Sequence, residues 1–239
     1  MKKRLLIPII ISLLLIGCGS TSSTTGSTAA PDTPSESSVP STSGGADVAE
    51  VPEEPKKELA DMMQTDFYTC NVDDSFYYTV LVVKNNSDET VHLDANFVAK
   101  DDSGNEVGSA SEDEPAIAPG QTGCIWCTID YSADIKSFDY TLTVNKETSD
   151  KSIYEDVSME YNTTDSGCTI TATNNGSSAA KYVWARCIFF KNGEMVNFNE
   201  PILMDSDDEL KPGSTVTAEA TCYSDSGFDD VIVILSGRE

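Results

Sequence analysis

The sequence predicts an all-β fold: two tandem β-sandwiches behind a non-globular N-terminal region. Period-two alternation dominates residues 59–239, and no long stretch there carries a strong helical period. Short β-rich runs are separated by Gly, Pro and Asn turns, the spacing expected of a sandwich. The whole run-and-turn pattern occurs twice, which divides the region into repeats at 59–146 and 147–239.

The elements follow in chain order. Lys2, Lys3 and Arg4 precede an apolar run over residues 5–16 that Pro8 interrupts. The run is well short of the roughly 20 residues that a membrane-spanning helix needs. A charged start, a short apolar stretch and small residues after it read as an export signal over 1–17. The signal ends in Leu15-Ile16-Gly17-Cys18. That ending resembles the bacterial lipobox, an aliphatic pair and a small residue before a cysteine. The resemblance implies cleavage before Cys18 and acylation of its sulfur. Cys18 then becomes the lipidation site of a lipoprotein held on the extracytoplasmic face of a cell membrane. The other reading is an ordinary signal peptide that contains a cysteine. Several acyl chains on one residue bind a membrane stably, where a single chain does not.

Residues 18–58 hold the lipidated N-terminus and a linker of Ser, Thr, Pro, Gly and Ala. Too little apolar surface is present to offset the entropy of ordering, so a disordered spacer is expected. As a flexible coil it reaches roughly 35 Å. A brief helix is expected over residues 53–64. Loss of Lys2, Lys3 and Arg4 with the signal takes the formal charge from −25 to −28. Such acidity argues against nucleic acid and anionic headgroups as partners, because these select Lys/Arg clusters. It suits a solvated surface, with weak Ca²⁺ binding as the sharper alternative.

Within the repeats, segment 79–87 matches segment 168–176, each ending at an Asn pair, Asn85-Asn86 and Asn174-Asn175. A second β-rich run follows in each, then Gly104 or Gly193. The Asn pairs and the glycines are both offset by 89 residues. Pro119-Gly120 and Pro212-Gly213 then lead into another run, and each copy closes after a phenylalanine, Phe138 or Phe228. Val91, Leu93, Ala95, Phe97 and Ala99 form one apolar face. Phe138, Tyr140, Leu142 and Val144 form another.

This arrangement resembles the FxLYD-type immunoglobulin-like modules of bacterial surfaces. The motif stands here as Phe97-Val98-Ala99-Lys100-Asp101 with Gly104 and Pro119-Gly120, the Leu and Tyr being replaced. The second copy reads Arg186-Cys187-Ile188-Phe189-Phe190 with Gly193. The resemblance implies an immunoglobulin-like sandwich and an extracellular setting, and no catalytic residues.

Six cysteines remain after Cys18. An even number in an exported chain permits disulfides. Cys124 and Cys127 form a C-x-x-C on a predicted strand. Three steps along a strand separate them by roughly 10 Å and turn them to opposite faces, whereas a bridge needs about 7 Å or less. Redox C-x-x-C motifs sit at helix starts, and none is expected there. A zinc site is also poorly supported, because His92 is the only histidine and no second C-x-x-C is present. The repeat alignment turns Cys127, Cys168 and Cys222 inward. By the Cys…Trp…Cys order of immunoglobulin domains, Trp184 lying between, the resemblance implies a Cys168–Cys222 bridge. The other reading is that these are small buried thiols.

Two acidic groups precede the Pro-Gly turns, Glu112-Asp113-Glu114 and Asp205-Ser206-Asp207-Asp208-Glu209. Both are expected as loops at the same end of their sandwiches. Glu112, Asp113, Glu114, Asp205, Asp207 and Asp208 are the cation-binding candidates, against a reading as solvated loops. Residues 101–106 read as a hairpin turn rather than a calcium loop. Trp126 is expected on a non-core face, as a binding aromatic or packed on the other domain. No nucleophile–base arrangement or phosphate loop is present, so no enzymatic activity is expected. The function expected is a membrane-anchored, non-catalytic binding or structural module for a protein or envelope component. The alternatives are a solute-capturing lipoprotein that serves a transporter, and an accessory subunit of an envelope enzyme complex.

Overall fold

A pleated strand sends successive side chains to opposite faces, so an alternating sequence is satisfied by one buried face. The computed structural model describes residues 58–205 and 207–239, and these are nearly all strand. The export signal over 1–17, Cys18 and all of the expected spacer except Glu58 lie outside the described residues. Of the helix expected over 53–64, the described part is a 3-10 turn, Leu59–Met62. The chain is already extended at Met63, where it begins to pair along its neighbour.

In the first repeat, β1 (Met63–Val72), β2 (Phe76–Asn85) and β5 (Thr122–Asp130) form an antiparallel sheet in the order β1-β2-β5. Opposite it lie β3 (Val91–Lys100), β4 (Glu106–Ile117) and β6 (Ser137–Lys146), in the order β4-β3-β6. The second repeat contains β7 (Val157–Thr164), β8 (Gly167–Asn174), β9 (Ala180–Lys191), β10 (Glu194–Asn199), β11 (Glu209–Leu210), β12 (Thr215–Thr221) and β13 (Asp230–Arg238). Its sheets are β12-β8-β7 and a second one built on β9, which pairs with β10, β11 and β13. The two repeats thus correspond strand for strand. The single β4 of the first becomes β10 and β11 in the second, separated by an excursion over residues 200–208.

Each sandwich closes over the apolar faces read from the sequence. Val91, Leu93, Ala95, Phe97 and Ala99 are buried against Leu81, Val83, Ile125 and Cys127, with Phe138, Tyr140, Leu142 and Val144 packed alongside. In the second sandwich Cys168, Ile170 and Ala172 meet Val183, Ala185, Cys187 and Phe189. The outward Thr171–Thr217 and Thr173–Thr215 hydroxyl pairs, at 3.0 and 2.9 Å, lace β8 to β12. Residues 101–105 make the β3–β4 hairpin turn. There Asp101 accepts from the backbone of Ser103 and Asn105 and from the Asn105 side chain, which holds its carboxyl below the usual range.

The repeated asparagines have one structural role. Asn85 is fully buried; its Nδ2 donates to the carbonyls of Glu89 and Ile117 at 2.8 and 2.9 Å, and its Oδ1 accepts from the Ser87 amide. Asn174 is also fully buried; it donates to Ser178 and Leu210, both at 2.8 Å, and accepts from the Gly176 amide. In each copy the side chain ties the turn after one strand to the end of a strand in the opposite sheet. An amide group supplies both donors and the acceptor this needs.

The two sandwiches share a third core. The outer face of the β1-β2-β5 sheet contributes Cys70, Val80, Val82 and Cys124, and that of the β9 sheet contributes Ile188, Phe190, Met195, Phe198 and Ile234. Both central sheets are therefore buried on two faces. That explains the unbroken apolar runs Val80-Leu81-Val82-Val83 and Cys187-Ile188-Phe189-Phe190. Each large side chain so buried contributes roughly 1.5–3 kcal/mol.

Candidate functional site

Where the shared core ends, the two sandwiches part into a cleft. Its floor is built from strand faces that alternation turns toward the junction: Trp126 on β5, and Trp184 and Arg186 on β9. Two adjoining hollows of about 210 and 460 Å³ share Glu112, Trp184 and Arg186. Both tryptophans of the chain line this cleft, as do Arg186 and Arg238.

A charged chain runs beneath it. Arg186, 6% exposed, forms an ion pair with Glu114, itself 2% exposed, and its Nε donates to Glu200 Oε1 at 2.8 Å. Glu114 Oε1 accepts from the Ser236 hydroxyl at 2.5 Å, and Glu200 Oε2 accepts from Trp126 Nε1 at 3.1 Å. Glu114 and Trp126 belong to the first sandwich; Arg186, Glu200 and Ser236 belong to the second. Arg186 Nη1 reaches Glu114 by proximity but has no aligned hydrogen bond. Burial pushes the Glu114 carboxyl up, against the pull of Arg186 and Ser236. Burial lowers the Arg186 guanidinium, but the neighbouring Glu114 and Glu200 carboxyl groups outweigh that and raise it.

Local irregularities create this arrangement. Glu114 stands opposite Leu93 on the inner side of edge strand β4, and one extra residue at Pro115–Ala116 then shifts the ladder, with Ala116 at φ 58°. A second bulge lies in β9: Trp184 pairs with Ser236 and Lys181 with Arg238, so Tyr182 and Val183 together oppose Gly237. Tyr182 takes φ 52°, and a Cβ on Gly237 would lie 2.7 Å from the Ile153 side chain. The bulge holds Tyr182 out at 49% exposure, stacked on Trp184 with centroids 5.8 Å apart and with Arg238 4.8 Å above its ring. Left-handed backbone at a bulky residue costs energy and concentrates at ligand sites. An unexpected break in the β9 alternation, Tyr182-Val183 opposite Gly237, is the sequence signal for it.

Trp126, expected on a non-core face, packs on the other sandwich: its ring lies 4.8 Å from Phe198. The acidic candidates are dispersed. Glu112, Asp113 and Glu114 lie on β4 rather than in a loop, because the ladder to β3 runs through them. Glu112 and Glu114 line the cleft, and Asp113 approaches His92 at 3.6 Å. Asp205, Asp207 and Asp208 lie in the 200–208 excursion. There Lys211 pairs with Asp207 at 2.5 Å and Asp205 at 3.7 Å, and its hydrogen bond holds the Asp207 carboxyl low. Among the described residues no group of three or more His, Cys, Asp or Glu is placed to hold a metal ion.

The Cys168–Cys222 pairing does not fit the sheet order. β8 and β12 are neighbours in one sheet, where Cys168 faces Ala220. Cys222 therefore lies diagonally two residues on, roughly 7–8 Å away, instead of across the sandwich. All six described cysteines are free thiols. Cys124 points into the shared core and Cys127 into the first sandwich, and burial pushes their thiols up to about 12 and about 11, far from a reactive thiolate.

No protein-family model and no curated protein sequence matches the chain. Among solved structures, the crystal structure of red sea bream transglutaminase is similar over 74% of this chain at 10% identity and a TM-score of 0.24. The chain spans 29% of that protein's length.

Proposed function

We propose that the chain is a lipid-anchored, extracytoplasmic, non-catalytic binding module that holds a saccharide of the cell envelope between its two sandwiches. The observation that carries this reading is the stacked Tyr182–Trp184 pair, held partly exposed at the lip of a cleft. An aromatic face carries negative charge density that attracts the C–H edges of a sugar ring. Glu112 and Asp113 beside it offer acceptors for hydroxyl groups. A concave site with an aromatic wall and a few fixed polar groups is the usual form of a small-ligand pocket.

The two tryptophans report on the cleft directly. Titration with oligosaccharides from cell-envelope polymers should give a saturable change in tryptophan emission. Trp184→Ala should weaken binding about five- to thirtyfold, the loss of roughly 1–2 kcal/mol of stacking. Unchanged affinity in that variant, or no response to any envelope glycan, counts against the reading.

The anchor is tested separately. Cys18→Ser should abolish incorporation of a labelled fatty acid and move the protein from the membrane to the soluble fraction. A labelled or still membrane-bound variant would overturn lipidation at Cys18. Losing a multi-chain anchor removes many buried CH₂ groups at about 0.8 kcal/mol each, so the shift should be nearly complete.

A further inference from the structure

The cysteine that faces Cys168 across the second sandwich is Cys187. β8 and β9 lie in opposite sheets, and their inward sulfurs approach to 3.9 Å. Both residues are buried, at 2% and 0% exposure, nineteen positions apart in the chain. We propose that Cys168 and Cys187 are a disulfide-forming pair that closes the second sandwich by exchange with a small-molecule disulfide. This inference is independent of where the protein resides and of what its cleft binds.

The geometry favours this pair over the alternatives. A disulfide needs its two sulfurs at about 2 Å, and at 3.9 Å these two are already in van der Waals contact. The neighbouring Cys187 thiol also holds Cys168 below its ordinary range, against the effect of burial, so Cys168 is the better attacking group. Its thiolate attacks one sulfur of oxidised glutathione, forms a mixed disulfide and releases one glutathione thiol. The Cys187 thiolate then attacks the Cys168 sulfur and releases the second. Two protein thiols lose two protons and two electrons, and one glutathione disulfide takes them up to become two thiols. The bridge would tie β9, which carries Trp184 and Arg186, to the outer sheet.

The test uses the full chain in two arms. One is native protein treated with oxidised glutathione. The other is protein refolded from denaturant in a mixture of reduced and oxidised glutathione. Free thiols are then alkylated and the chain is digested without reduction. In at least one arm the Cys168 and Cys187 peptides should be joined and lighter by two hydrogens. The product should persist in Cys222→Ser and vanish in Cys187→Ser. Closing a loop of this length should raise Tm by roughly 5–10 °C, lost again on reduction. Full alkylation of Cys168 and Cys187 in both arms would overturn the proposal. So would a dominant bridge from either of them to Cys70 or Cys222.

Discussion

Replacing Arg186 with methionine should destabilise the folded protein by about 3–5 kcal/mol in urea unfolding, the cost of stranding a buried charge. The methionine fills much of the volume, so the loss falls on electrostatics. Glu114 would keep only the Ser236 hydroxyl, and Glu200 only Trp126. Replacing Arg186, Glu114 and Glu200 together by apolar residues should recover most of the deficit, because the desolvation of all three charges disappears with them. The pH dependence has a definite sign. Glu114 is already raised by burial, and without Arg186 it rises further above its unfolded value. A carboxyl raised in this way stabilises below its unfolded pKa and loses that contribution as pH climbs through its folded pKa. The Arg186→Met deficit should therefore narrow from neutral toward mildly acidic pH. A deficit that widens on acidification would show that Glu114 is not the group left stranded.

Asn85→Ala and Asn174→Ala should each cost about 3 kcal/mol, since each strands two buried carbonyls and one amide at roughly 1–3 kcal/mol apiece, with partial relaxation. The two costs should be similar, because the side chains share three bonds, with Asn85→Ala the larger since Asn85 Oδ1 also accepts from the Ser87 hydroxyl at 2.6 Å. Paired unfolding curves measure this. A near-neutral Asn174→Ala would mean that water satisfies the freed groups.

Much of the fold was legible because the outer strands obey a local rule. β3 and β6 bury one face and wet the other, and their alternation says so residue by residue. The offset of 89 between repeats was legible for the same reason, since the asparagines are fixed by contacts inside each copy. The junction was harder. Val80, Val82, Ile188 and Phe190 interrupt the alternation, but a strand covered on both faces has no period that names what covers it. The cleft was least legible. Glu114 was one acidic residue among many in a chain of charge −25, and its partner Arg186 lies in the other repeat. The expected Cys168–Cys222 bridge rested on the strand order of immunoglobulin domains, which this sheet does not follow. Here β12 lies beside β8, and the strand opposite is β9.

The core shared between the sandwiches also bears on solubility. A lone copy of either repeat would present Val80, Val82 and Cys124, or Ile188, Phe190 and Phe198, directly to water. Such a face invites aggregation. Either sandwich cut out alone should therefore be less soluble than the intact pair.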